Sequence, residues 1–211
     1  MVPAFLGFVL FSAVSPPAMD AVTSESAVVV RRLRVIVRLD ADSATKGIEM
    51  THVFDEVRAI WKPYADVDFA GAADPRVSGS DADLRLVITD RMGPGSSDGS
   101  ALAWITFVAP GRPANTMTAS VAAVRILMGE RWRDRRIVEL PIRFQRRFVV
   151  QALSRSIAHE IGHYLLRSSA HASRGLMRPQ LTVSDIMENE LDLFRLEPAE
   201  IDQLKRRTEL G

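Results

Sequence analysis

The chain has 211 residues, 47% of them hydrophobic and 25% charged, enough for one good core or two small ones at most. Its 27 basic and 26 acidic side chains leave a net charge of +1, so nothing global points to a nucleic-acid or acidic partner. Cysteine is absent, which removes disulfides, thiolate metal ligands and cysteine nucleophiles together.

Residues 4–14, AFLGFVLFSAV, form an apolar run followed by Ser15-Pro16-Pro17. The run is too short to span a bilayer but suits the core of a secretory signal peptide, although no Lys or Arg precedes it. Residues 1–26 are therefore expected to be a signal peptide and flexible N-terminus. That implies a secreted or periplasmic protein with no stable membrane span, and a single domain over 27–211. Residues 27–39, AVVVRRLRVIVRL, alternate and are rich in valine, which predicts a strand. Asp42 or Ser43 can cap a helix that carries Met50, Val53, Phe54, Val57, Ile60 and Trp61 on one face, and Pro63 ends it. His52 lies on that helix, away from the other histidines, and reads as a partly exposed structural residue.

Val67-Asp68-Phe69 predicts a short strand and Leu84 to Thr89 a firmer one. The glycine-rich run at 93–99 is no phosphate cradle, because neither a Lys-Ser/Thr pair nor a helix follows it. Residues 101–108 and 119–127 read as two further strands, joined through Pro110-Gly111-Arg112-Pro113 in a hairpin-like connection. Arg131, Arg133, Arg135, Arg136, Arg143, Arg146 and Arg147 then make a basic patch, broken by Glu130, Asp134 and Glu139. Without an aromatic ladder it reads as a solvated loop and helix start, not as a nucleic-acid surface.

Val149, Leu153, Ile157, Ile161 and Leu165 recur every four residues, which predicts a helix, and Pro141 fits its first turn. His159 and His163 are four apart and lie roughly opposite that stripe, on one face a turn from each other. Both imidazoles can reach a single ion at roughly 2.0–2.1 Å. Glu160 follows the first histidine, where a carboxylate can touch a metal-bound water instead of the metal. This is the HExxH pattern, whose chemistry is a zinc site with the glutamate as general base. The pentapeptide alone is short, and two solvated histidines on a surface helix would also produce it. The continuation tips the balance, since three of the chain's four histidines fall between 159 and 171, and Gly175-Leu176-Met177 follows. Beyond it, Thr182 or Ser184 can cap a helix through Leu191, and Leu196-Glu197-Pro198 opens a last helix with Ile201 and Leu204 facing inward. The element order predicts an α+β (α/β-like) domain with one mixed sheet.

The motif resembles that of the metzincin metallopeptidases, HExxHxxGxxH followed by a methionine-bearing turn. The match covers His159, Glu160, Ile161, Gly162, His163 and Met177. It departs where the family has a glycine, here Leu166, and where it has the third histidine, here Ser169. His171 arrives two residues late. The resemblance implies a mostly parallel sheet of about five strands with an antiparallel edge strand, for which 101–108 is the candidate. It further implies an active-site helix and C-terminal helices. It implies a zinc-dependent endopeptidase acting on a peptide or protein substrate. Zn²⁺ would lie on His159, His163 and His171, Glu160 would be the base, and Met177 would pack beneath the metal. Two alternatives stay open. One is a gluzincin-like site that takes its third ligand from Glu188 or Glu190. The other is a non-catalytic zinc-binding domain, for which Glu160 would have no use.

Overall fold

A computed structural model describes residues 32–39, 45–71, 84–93 and 101–208. The apolar run at 4–14, the capping positions Asp42 and Ser43, and most of the glycine-rich loop lie outside them. The valine-rich stretch forms β1 (Arg32–Leu39), with a parallel neighbour on each side. These are β2 (Asp66–Gly71) and β3 (Leu84–Thr89). Parallel strands need a long crossover, and α1 (Met50–Trp61) lies in the connection from β1 to β2. α1 starts behind Glu49 with no side-chain cap and buries Val53, Val57, Ile60 and Trp61, as the apolar face predicts.

β4 (Ala103–Ala109) and β5 (Arg112–Ser120) form an antiparallel hairpin that closes Ala109 on Arg112. The turn is Pro110-Gly111, and Gly111 takes a φ of 70°, a left-handed conformation that glycine adopts without steric cost. β5 also runs parallel to β3, so the order is β2-β1-β3-β5-β4 and β4 lies on the edge.

The expected strand over 119–127 is not there. β5 stops at Ser120, and Val121–Leu127 is α2. Ser120 makes the switch, because its hydroxyl accepts the Ala123 N–H at 3.0 Å and donates to the Arg91 carbonyl at 2.8 Å. Val121, Ala123 and Val124 are buried, and a short apolar run of this kind fits either periodicity. The sheet is also not the only one. Arg131–Trp132 and Arg135–Arg136 pair as a small antiparallel ribbon, β6 and β7.

The motif helix is α3 (Ile142–Leu166), and every residue from 151 to 163 is buried. Its neighbours are α1, β4, β5, α4 (Val183–Met187) and α5 (Pro198–Thr208). The four-residue stripe supplies only part of that contact. Small residues cover the other sides, where Ala152, Ser154, Ala158 and Gly162 admit neighbouring elements closely. Trp61 of α1 donates its indole N–H to the Ala158 carbonyl at 3.1 Å.

Thr182 caps α4, as expected, and Asp185 returns the bond in a reciprocal capping box. The helix ends at Met187, well short of Leu191. Arg155, 1% exposed, holds that end: it ion-pairs with Glu56 at 2.9 Å and donates to the carbonyls of Ile186 and Glu188 at 2.9 and 2.7 Å. Among the described residues no helix is long and apolar enough to cross a membrane.

Candidate metal centre

α3 delivers His159, Glu160 and His163 and then has to stop. It does so at Arg167, which takes a left-handed conformation at φ 47° and ψ 43°. Arg167 N–H bonds the Tyr164 carbonyl, and Ser168 N–H bonds that of His163. This is the paired pattern in which a left-handed residue closes a helix, achieved without the glycine that usually serves there. From this point the chain turns back. Ala172 N–H meets the Met177 carbonyl at 2.9 Å, and Leu176 N–H meets that of Arg195 at 3.0 Å. Gly175, at φ 75°, passes so close to the Arg195 carbonyl that a Cβ there would collide with it.

The doubling back brings His171 over the helix. Its ring centroid lies 5.3 Å from that of His159 and 4.9 Å from that of His163, which are 4.6 Å from each other. One ligand atom from each of the three lies within 4.8 Å of the others, a spacing that could hold a metal ion. Two backbone carbonyls orient the rings. His159 Nδ1 is 2.8 Å from the Leu176 oxygen, and His163 Nδ1 is 2.6 Å from the Ser168 oxygen. A carbonyl only accepts, so each Nδ1 carries the proton and each Nε2 keeps a free lone pair.

His159 and His163 are 9% and 6% exposed, whereas His171 is open to solvent. Burial pushes the pKa of His159 down to about 4, against the pull of the Leu176 carbonyl. Burial also lowers that of His163. Both rings are therefore neutral at pH 7, the form that binds metal. Glu160, 7% exposed, is pushed up to about 8 by burial, partly offset by the backbone N–H of Ile105 donating to its carboxylate. A carboxyl shifted this far is the kind of group that active sites tune for proton transfer.

Beneath the histidines Met177 is fully buried against Gly162. A Cβ at position 162 would run into Met177 Sδ, so the helix interior has to be glycine for the methionine to fit. Above them opens a cleft of about 860 Å³, walled by Ala103–Ile105 and Phe107 of β4, Ile126 of α2 and the segment 178–184. Phe107 also meets His163 edge-on, at 6.3 Å between ring centroids.

Glu188 and Glu190 do not belong to this group. Both are exposed beyond the end of α4, and Glu188 Oε1 accepts the N–H of Asn189. The alternative third ligand depended on a helix reaching Leu191, and Arg155 ends that helix early. Tyr164 lies off the cleft, as its place on the helix predicts. The carbonyls of Ser168 and Leu176 escape sequence reasoning altogether, because every residue has one. Gly162 did carry a signal, being a glycine inside an otherwise strong helix pattern.

No family model matches the chain, and no characterised protein matches it in sequence. Among solved structures it is similar to archaemetzincin from Methanopyrus kandleri, at 13% identity over 89% of this chain and 99% of that one, with a TM-score of 0.49. It is also similar to metalloproteinase-II from Bacteroides fragilis, at 11% identity over 83% of this chain and 52% of that one, with a TM-score of 0.45. The case for a metal centre in this chain is carried by its own side chains, three converging imidazoles and a buried carboxyl on one cleft.

Proposed function

We propose that the protein is a metzincin-like, zinc-dependent endopeptidase in which His159, His163 and His171 hold the metal and Glu160 is the general base. The observation that carries the proposal is the convergence of three imidazoles beside a buried carboxyl at the foot of an open cleft. The donor set fits zinc, since neutral imidazole nitrogen is a preferred ligand. Among the described residues no fourth His, Asp or Glu joins the group. Structural zinc sites use four protein ligands, and catalytic sites use three and keep a position open.

When bound, zinc supplies a Lewis acid that acidifies a water and polarises a peptide carbonyl. The chain's own residues do the rest. Glu160 follows His159 directly, so its carboxylate lies beside the ligand set, held by Ile105 N–H. There it takes the proton of the attacking water and returns it to the departing amine nitrogen. The edge of β4, which no other described strand covers, offers main-chain donors and acceptors to an extended peptide, which it aligns past Glu160 by strand addition. Met177, fully buried against Gly162, closes the floor beneath the histidines. An exported location fits the apolar run at 4–14.

The test is a pair of measurements on the full chain. Purified protein is expected to carry close to one zinc per chain by elemental analysis and to cleave peptides until chelated. Glu160→Gln is expected to keep the zinc while turnover drops by about 10²–10⁴-fold, the scale of one positioned acid–base group. Full zinc without cleavage across a broad peptide library would favour a non-catalytic domain, and zinc far below one per chain would sink both readings.

A further inference from the structure

A second hollow, of about 570 Å³, lies at the other end of α3, between its first three turns, α2 and the lead-in to α1. Its size falls within the roughly 300–1,000 Å³ typical of small-ligand sites. Val150 on its floor precedes His159 by nine residues, about 14 Å along a helix that rises roughly 1.5 Å per residue, so it is a separate place.

Its lining is divided by chemistry. The floor is apolar, from Ile48, Val121, Met128, Val149 and Val150, and Ile142 stands at the mouth 62% exposed. The rim is cationic. Arg125 is engaged with Asp90, and Arg147 with the Gln151 side chain. Lys46, Arg143 and Arg146 have no carboxylate partner among the described residues. The one acidic side chain on the lining, Glu49, is bonded to His52 at 2.6 Å. Arg143 lies in the first turn of α3, which holds no acidic residue, so a side-chain cation and the positive end of the helix reinforce each other.

An apolar floor under a rim whose cations Lys46, Arg143 and Arg146 meet no carboxylate among the described residues favours a ligand with the opposite division, an apolar body and one anionic head. We propose that this hollow binds a single-chain anionic amphiphile. Its alkyl chain would lie on Val121, Val149 and Val150, and its oxyanion would be held by Lys46, Arg143 and Arg146. Two arginines offer the forked donors that suit a phosphate or carboxylate head. Nucleic acid would use the rim but leave the floor empty.

The probe is decyl phosphate, kept below its micelle-forming concentration and titrated calorimetrically into the full chain. One-to-one binding is expected, with inorganic phosphate and decan-1-ol each at least tenfold weaker, since either part alone uses half the lining. The triple variant Lys46→Gln, Arg143→Gln, Arg146→Gln is expected to bind decyl phosphate at least tenfold more weakly. Its folding is checked by circular dichroism, and all three side chains are exposed. Unchanged affinity in the variant overturns the proposal. So does decan-1-ol binding as well as decyl phosphate, or binding seen only with phosphatidylglycerol vesicles, which would make the rim a membrane-facing patch. Zinc loading and peptidase activity play no part in the readout, so this result stands apart from the function proposed above.

Discussion

His159 and His163 arrive at the centre of the site already turned, because each gives its Nδ1 proton to a backbone carbonyl that the returning chain supplies. His171 has no such fixing bond among those described and is exposed, so of the three proposed ligands it would be the one most easily lost. His171→Ala is expected to weaken zinc binding severely, whereas Glu188→Ala, on an exposed side chain, leaves it unchanged. Zinc affinities measured side by side decide this, and a large loss in the glutamate variant alone would hand it the third position. Titration gives a second test, made on the metal-free protein. Glu160 titrates near 8 when folded and near 4.5 when exposed. The folded chain thus binds the proton more tightly between those values, and stability from this group is lost as pH rises towards 8. His159 runs the other way, its folded value of about 4 lying below 6.5, so its contribution is lost as pH falls from 6.5 towards 4. Of these two groups, only the glutamate changes its contribution between pH 6.5 and 8. The melting temperature of metal-free protein is expected to fall across that window, and Glu160→Gln to flatten the fall. An equal fall in the variant would mean that the carboxyl does not carry this proton.

At the scale of the element, α3 shows what periodicity can and cannot reveal. The stripe through Leu153, Ile157 and Ile161 locates the helix, and the four-residue spacing of the histidines puts them on one face. What the stripe does not reveal is burial on every side, because Ala, Ser and Gly between the large residues count as neutral in any pattern yet decide how closely α1 and the Met177 turn approach. Gly162→Ala tests this. The added methyl meets Met177 Sδ, and overpacking of that kind costs about 1–3 kcal/mol. The variant is expected to melt lower and to bind zinc more weakly, because displacing Met177 also displaces the neighbouring Leu176 carbonyl that holds His159. Unchanged melting and zinc affinity would show that the floor yields freely. The helix at Val121–Leu127, where a strand is expected, has a related cause. The strand lies earlier, in 112–120, where Asn115, Thr116 and Thr118 give little hydrophobic signal, and the apolar run after Ser120 was short enough to fit both periods.

In the molecule as a whole, Arg155 joins parts far apart in sequence. One guanidinium reaches Glu56 on α1 and the carbonyls that end α4, and its face covers the Phe194 ring at 4.3 Å. Burial lowers its pKa, with the Glu56 carboxylate pulling it back, and at pH 7 it remains a buried cation. Arg155→Met keeps much of the volume but strands Glu56 and the carbonyls of α4. Removing one partner of a buried pair costs about 3–5 kcal/mol, so a large drop in the midpoint of chemical denaturation is expected. A shift of less than about 1 kcal/mol would show water replacing the guanidinium. No sequence pattern marks this residue, because its partners are spread over residues 56 to 194 and are mostly backbone.

The edge position of β4 has a consequence for how copies of the chain behave towards one another. A bare strand edge recruits any extended segment, including the same strand of another molecule, and so invites fibrous aggregation. Here the invitation is short. The pairing of β4 with β5 shifts register between Ile105 and Phe107 and again between Phe107 and Ala109, which bends the strand away from the flat form that stacks. Ile105 spends its outward amide on Glu160, leaving one fewer donor for an incoming strand. The chain thus keeps an edge that, on the function proposed above, would seat a few residues of a passing peptide yet is irregular enough to discourage a sheet of its own copies.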